Sequence, residues 1–113
     1  MRRDDHEARV AFGDRAELLD DGKFVATLGG EHTVAVGAAR AHARRTPDLS
    51  VLAIDAHADL RDSYEGSRFS HACVMRRVLD LGASIVPVGV RNYSREEHRF
   101  MKRHGFRPIT ARE

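Results

Sequence analysis

The sequence has one cysteine, Cys73, so it cannot close an internal disulfide, and it holds no Cys-x-x-Cys pair for zinc or redox chemistry. Tryptophan is absent, and the five Phe and two Tyr do not interleave with Arg or Lys as a base-stacking surface requires. No apolar run approaches the ~20 residues that a membrane span needs. Charge of one sign is not massed anywhere. The 19 Lys and Arg are interspersed with 17 Asp and Glu, leaving a formal charge of +2 and a pI near 9.1. These absences argue against a nucleic-acid partner, a membrane location and an extracellular disulfide scaffold. The amino terminus, Met1 to Glu7, carries basic residues followed by acids instead of an apolar run, so it does not read as a secretory signal. A cytoplasmic protein is the simplest expectation.

What is present is the composition of a globular domain: 113 residues, 42% hydrophobic and 32% charged, enough for one modest core over residues 1–113. From Asp5 to Leu19, Ala8, Ala11, Phe12, Ala16 and Leu19 recur at helical spacing, and Asp20-Asp21-Gly22 stops them. Phe24 to Leu28 is a short apolar run that suits a strand buried on both faces. Thr33 to Arg45 is helical and Ala-rich, closing on Arg44-Arg45 where positive charge suits the carbonyl end. Val51 to Ile54 is a second strand, and the polar stretch from Asp55 to about Ser70 is a long loop of the kind that carries function. Ser70 can cap a helix to about Leu81 with Val74, Val78 and Leu81 inward. Ile85 to Val90 is a third strand, and Ser94 with Glu97 forms a capping box for a helix from Arg95 to His104. Strands alternating with helices imply a parallel sheet with right-handed crossovers, and such sheets bind ligands at the carboxyl ends of their strands. Cys73 and Met75 read as packed residues, His42, His98 and His104 as helix-surface residues, and Arg76-Arg77 as a solvated face.

Chemistry concentrates in Asp55-Ala56-His57-Ala58-Asp59. Residues two apart in an extended segment point to one side, so the three polar side chains can converge at the end of the strand, with alanine between them. Two carboxylates there repel unless their charge is compensated, and a cation is the economical solution. Leu28-Gly29-Gly30-Glu31-His32 ends the preceding strand and opens a helix, and consecutive strand ends in a βαβ unit lie close together, so His32 can face the triplet. His32, Asp55, His57 and Asp59 offer a hard-to-intermediate donor mixture that suits Mn²⁺ and is also compatible with Zn²⁺, Fe²⁺, Co²⁺ or Ni²⁺. His71 by itself reads as a surface histidine near a helix start.

These two motifs, the spacing of 23 residues from His32 to Asp55, and the stretch from Leu60 to Ala72 together resemble the ureohydrolase (arginase and agmatinase) family, with the last stretch most similar to its agmatinase branch. The resemblance covers nearly all of the chain from about Phe24 onward. It implies an α/β fold, a three-layer α/β/α sandwich around a parallel sheet, commonly assembled into homo-trimers or hexamers. It implies a binuclear manganese site, two Mn²⁺ when complete, with His32 and Asp59 on one ion, His57 on the other and Asp55 bridging both. His71 matches the histidine that the family places beside its substrate, which makes His71 and Asp55 the implied catalytic residues. The implied reaction is hydrolysis of a small guanidino compound, agmatine foremost, to urea and putrescine, a step of polyamine biosynthesis.

The family also supplies metal ligands from a later Ser-x-Asp-x-Asp-x-x-Asp-Pro motif and a later glutamate that holds the guanidinium, and neither occurs before Glu113. The usual first strand is missing as well. The resulting expectation is a single partial domain, a fragment that is incomplete and inactive by itself. Arginase or another guanidino or formimino hydrolase of the same family is the nearest alternative, and a non-catalytic metal-binding or assembly module is the alternative of a different class.

Overall fold

The computed structural model describes residues 15–112, and within it the apolar runs around Val51 and Val86 become adjacent strands. β1 (Ser50–Ile54) pairs in parallel with β2 (Ser84–Val90), in a register that sets Val51 beside Ile85 and Ala53 beside Pro87. β2 pairs in parallel with β3 (Ile109–Thr110), so the sheet order is β1-β2-β3. A two-residue strand has no periodicity to reveal it in sequence. Its place is fixed by Val88 and Val90, between which the register shifts.

Parallel neighbours need a crossover between them, and here each crossover is helical. Before the sheet come α1 (residues 15–20) and α2 (Val34–Ala43). Between β1 and β2, a 3₁₀ turn (His71–Cys73), capped by the Ser70 hydroxyl accepting from the Ala72 N–H, runs into α3 (Val74–Asp80). Between β2 and β3 lies α4 (Arg95–Arg103), which begins with the expected capping box: the Glu97 N–H donates to Ser94 Oγ, and the Ser94 N–H donates to Glu97 Oε1. Gly105, at φ +72°, supplies the left-handed residue beyond the carboxyl end of α4. Among the described residues no helix is long and apolar enough to cross a membrane.

Alternation along the strands divides the sheet. Val51, Ala53, Ile85 and Pro87 face a core built with Val36, Leu60, Val74, Val78, Val90, Phe100 and Met101. Leu52, Ile54, Val86 and Ile109 share the opposite face and are exposed, Ile54 by 78%. Two layers of the expected sandwich are therefore described, a sheet and the helices on one side of it.

Two expectations are corrected and one falls partly outside the described residues. Residues 24–28 form no strand, and the side chains of Phe24 and Leu28 are almost wholly exposed. An isolated extended run gains nothing without a sheet edge to bond and a face to bury, and these residues engage neither. Arg76-Arg77 is not a solvated face. Arg77 is buried, donating from Nη2 to Asp62 Oδ1 at 2.5 Å, and the Arg76 guanidinium lies 3.8 Å from the centre of the Phe100 ring. That side of α3 faces the loop after β1 instead of water, so the cationic stems are covered and the heads meet carboxylate or ring. The helix expected over residues 5–19 is helical from residue 15, and its earlier part lies outside the described residues.

Two outcomes follow for stability. Phe100→Ala empties a site that is nearly closed to solvent, a change that costs about 3–5 kcal/mol, a large share of the roughly 5–15 kcal/mol that a domain has. Urea denaturation should show a midpoint sharply lowered or no cooperative transition. The hydrogen bond from Arg77 holds the Asp62 carboxyl below its ordinary value. Because the folded value lies below the unfolded one, the contribution is complete above about pH 4 and fades as pH falls through the depressed value. Asp62→Asn should thus melt below wild type at pH 7, and the gap should close in acid.

Candidate metal centre

The parallel ladder does not stop at the end of β1. The Asp55 N–H still donates to Val88 O at 3.0 Å, which fixes Asp55 at the carboxyl edge of the sheet. Its carboxylate then turns the chain, since Asp55 Oδ1 accepts the His57 N–H at 2.8 Å. Ala56 O accepts from the N–H groups of Arg91 and Asn92, so the segment after β2 is tied to the segment after β1. The chain bends again at Asp59, whose φ of +52° is left-handed, a conformation that Asp tolerates better than most residues. The convergence expected from a straight extended segment is therefore achieved by a turn. That is why Asp55 and Asp59 meet while His57, between them, does not join them as closely.

His32 approaches from the other side, on the turn before α2. Gly29 makes that turn possible, because a Cβ there would lie 2.7 Å from Val34 Cγ2. His32 Nδ1 is 2.7 Å from Asp59 Oδ2 and 3.9 Å from Asp55 Oδ2. One donor atom from each of His32, Asp55 and Asp59 falls within 4.8 Å of the other two, close enough to share a metal ion. His57 stands beside this group, its Nδ1 3.4 Å from Asp55 Oδ1 and its side chain 62% exposed. All four line one cavity of about 450 Å³, with His71 at its rim. His71 is exposed, 3.5 Å from Ser70 Oγ through Nδ1, and its ring meets Tyr64 edge-on at 5.7 Å.

The charge in this cavity is unbalanced. The His32 imidazole is held above its ordinary value of 6.5, first by its hydrogen bond to Asp59 and then by the charges of Asp59, Asp55 and Glu31, against the opposing effect of burial. Behind the cavity wall, both carboxylate oxygens of Glu31 are buried with no hydrogen-bond partner among the described residues. Two clustered carboxylates and an imidazole within 4.8 Å of one another fit a divalent cation, which would balance their negative charge. One nitrogen with carboxylate oxygens is a hard-to-intermediate donor set.

Sequence reasoning passed over part of the cavity wall. Asn92, Tyr93 and Glu97 also line it, whereas Arg61 and Tyr64, which line it too, lie on the long loop after β1 that was expected to border the site. The Arg61 guanidinium lies 5.3 Å from the centre of the Tyr64 ring. A signal for Asn92 and Tyr93 was available: they follow β2 with only Arg91 between, at the edge where parallel sheets bind ligands. Glu97 carried no such signal, since its helix-capping role was a sufficient reason for it.

Comparison with known proteins identifies the family. The sequence profile of the Arginase family matches residues 9–113. The chain is 44% identical over 99 residues to N(1)-aminopropylagmatine ureohydrolase of Synechocystis sp., covering 87% of this chain and 32% of the relative. It is 42% identical over 92 residues to an agmatinase of Bacillus anthracis, covering 80% of this chain and 32% of that one. Among solved structures, agmatine ureohydrolase of Thermoplasma volcanium superposes with a TM-score of 0.85 at 34% identity, over 98% of this chain and 38% of that one. The chain thus spans about a third of the length of the curated relatives it matches. With a family profile spanning nearly the whole sequence and a shared fold, the chain belongs to the arginase family.

Proposed function

We propose that this chain contributes one part of a binuclear manganese site in a ureohydrolase that converts agmatine to putrescine and urea. The observation that carries this reading is the convergence of His32, Asp55 and Asp59 within 4.8 Å, at the carboxyl edge of a parallel sheet, in an arginase-family chain. In the complete site His32 and Asp59 would hold one Mn²⁺ and His57 the other, with Asp55 shared between them. Bound there, the two ions would supply Lewis acidity and a water deprotonated near neutral pH.

The chain's own residues would do the rest. Asp55 and Asp59 bring negative charge to the cavity wall, which would draw a guanidinium cation toward it. His71 faces both the cavity and solvent, a position from which an imidazole can pass a proton to a departing amine and recover one from bulk water. Tyr64 packs on the ring of His71 and restricts its orientation. Agmatine is favoured over arginine because two of the most similar relatives are named for agmatine-derived substrates or for agmatinase activity. The complete protein would be a cytoplasmic homo-oligomer, a trimer or hexamer, serving polyamine biosynthesis.

A second reading, a metal-binding or assembly module without turnover, is favoured by one observation: the open apolar face of Leu52, Ile54, Val86 and Ile109 on a chain that spans about a third of its relatives. Titration calorimetry separates the two readings. Turnover calls for two Mn²⁺ per site, and a module binds at most one, weakly.

Urea release with Mn²⁺ present should be measured for the protein expressed from its own reading frame, with agmatine, N(1)-aminopropylagmatine and arginine as substrates. Agmatine should give the highest kcat/KM, and no release from any of the three would end the enzyme reading. His71→Asn should lower kcat by roughly 10²-fold or more with Mn²⁺ affinity unchanged. Asp55→Ala should abolish Mn²⁺ binding.

A further inference from the structure

We infer that Glu97 is a positioning residue for the metal-ligating loop: its carboxylate holds the peptide that joins Asp59 to Leu60, and so keeps the Asp59 side chain turned toward His32 and Asp55. The inference rests on the metal-site reading above, but its geometry is independent of any ion.

Glu97 is 5% exposed and uses its two oxygens differently. Oε1 accepts the Ser94 N–H at 2.8 Å, which completes the capping box of α4. Capping needs nothing more from the side chain. Oε2 nevertheless accepts the Leu60 N–H at 2.9 Å, from a residue 37 positions earlier. The other end of the same peptide, Asp59 O, accepts the N–H groups of Met75 and Arg76 at 2.9 and 3.2 Å. Leu60 O accepts from Arg76 Nη1 at 3.3 Å, and the Leu60 side chain is fully buried.

The orientation of that peptide is the ψ angle of Asp59. Turning it would break the bonds at both ends together, so the left-handed geometry of Asp59 is fixed from outside the residue itself. The Asp59 carboxylate, 2.7 Å from His32 Nδ1, is aimed as a consequence. Glu97 itself does not belong to the group of His32, Asp55 and Asp59 whose donor atoms meet.

Glutamate suits this task for two reasons. Its two oxygens can accept two backbone N–H groups at once, whereas glutamine has one acceptor and sets an NH₂ against the second N–H. Its negative charge, with Arg61 Nε 4.0 Å away and no closer cation among the described residues, is supported by those N–H groups and by the amino end of α4. Aspartate at the same position keeps the charge and can still cap the helix, but is one methylene too short to reach Leu60 as well.

The test compares wild type with Glu97→Gln, Glu97→Asp and Met101→Ala. Met101 is buried on the same helix and does not line the cavity, so its replacement reports on loss of helix packing alone. Titration calorimetry with Mn²⁺ is expected to show both Glu97 variants weakened by roughly 10- to 100-fold, as for loss of outer partners of metal ligands. Met101→Ala should bind within twofold of wild type despite a lower Tm. In the metal-free proteins, amide exchange at Leu60 should accelerate in both Glu97 variants and not in Met101→Ala, and the NMR contact between His32 and Asp59 should weaken only in the former. Wild-type-like Mn²⁺ affinity and Leu60 exchange in Glu97→Gln would overturn the assignment, as would an equal loss of affinity in Met101→Ala. If Glu97→Gln does not fold, Glu97→Asp decides by the same measurements. Should wild type bind no Mn²⁺, the metal reading falls, and the exchange rate and the His32–Asp59 contact still decide the role of Glu97.

Discussion

The peptide between Asp59 and Leu60 is the joint on which this structure turns. On one side of it lies the cavity, entered by the Asp59 carboxylate, and on the other lies the core, filled by Leu60. Its carbonyl receives the first N–H groups of α3, which would otherwise lack partners at a helix start, and its own N–H reaches the capping glutamate of α4. Two helices thus begin where the candidate ligand loop bends. The arrangement makes site geometry and core stability one problem, because a shift in either helix is felt first at Asp59.

That joint was the least legible part of the sequence. The strands around Val51 and Val86 and the helix after Ser94 could be read from local rules, since apolar alternation and a capping box act within a few residues. His32, Asp55 and Asp59 were found by residue type at strand ends, which is also a local signal. The bend at Asp59 was not, because it is enforced by partners 16, 17 and 37 positions away, counted from Met75 and Arg76 to Asp59 and from Glu97 to Leu60. Arg76-Arg77 misled for the same reason. A pair of arginines on a helix reads as solvated until the loop carrying Asp62 is seen to fold over it.

The run from Phe24 to Leu28 shows the opposite limit. Its composition reads as a buried strand, and burial is a property of what surrounds a segment rather than of the segment itself. Leu52, Ile54 and Val86 carry the same message on strands that do form: they are apolar on a face that is open among the described residues. Parallel sheets are normally covered on both faces. Sequence patterning therefore reports the tendency of a segment to be covered, and the covering partner is a separate matter that local composition does not carry.

The charge balance in the cavity explains why so exact a grip on Asp59 matters. Two unit charges 4 Å apart near a protein surface interact by about 4 kcal/mol, so Asp55 and Asp59 would drift apart unless something bound them or the backbone withheld the freedom to do so. The contact between His32 Nδ1 and Asp59 Oδ2 at 2.7 Å answers part of this repulsion. Backbone hydrogen bonds answer another part by making the separation of the two carboxylates costly to change. A loop held in this way presents its acids before a cation arrives, so less of the binding free energy is spent on ordering the ligands. Rigidity at Asp59 and surplus negative charge beside it are thus two sides of one design, each of little use to a metal without the other.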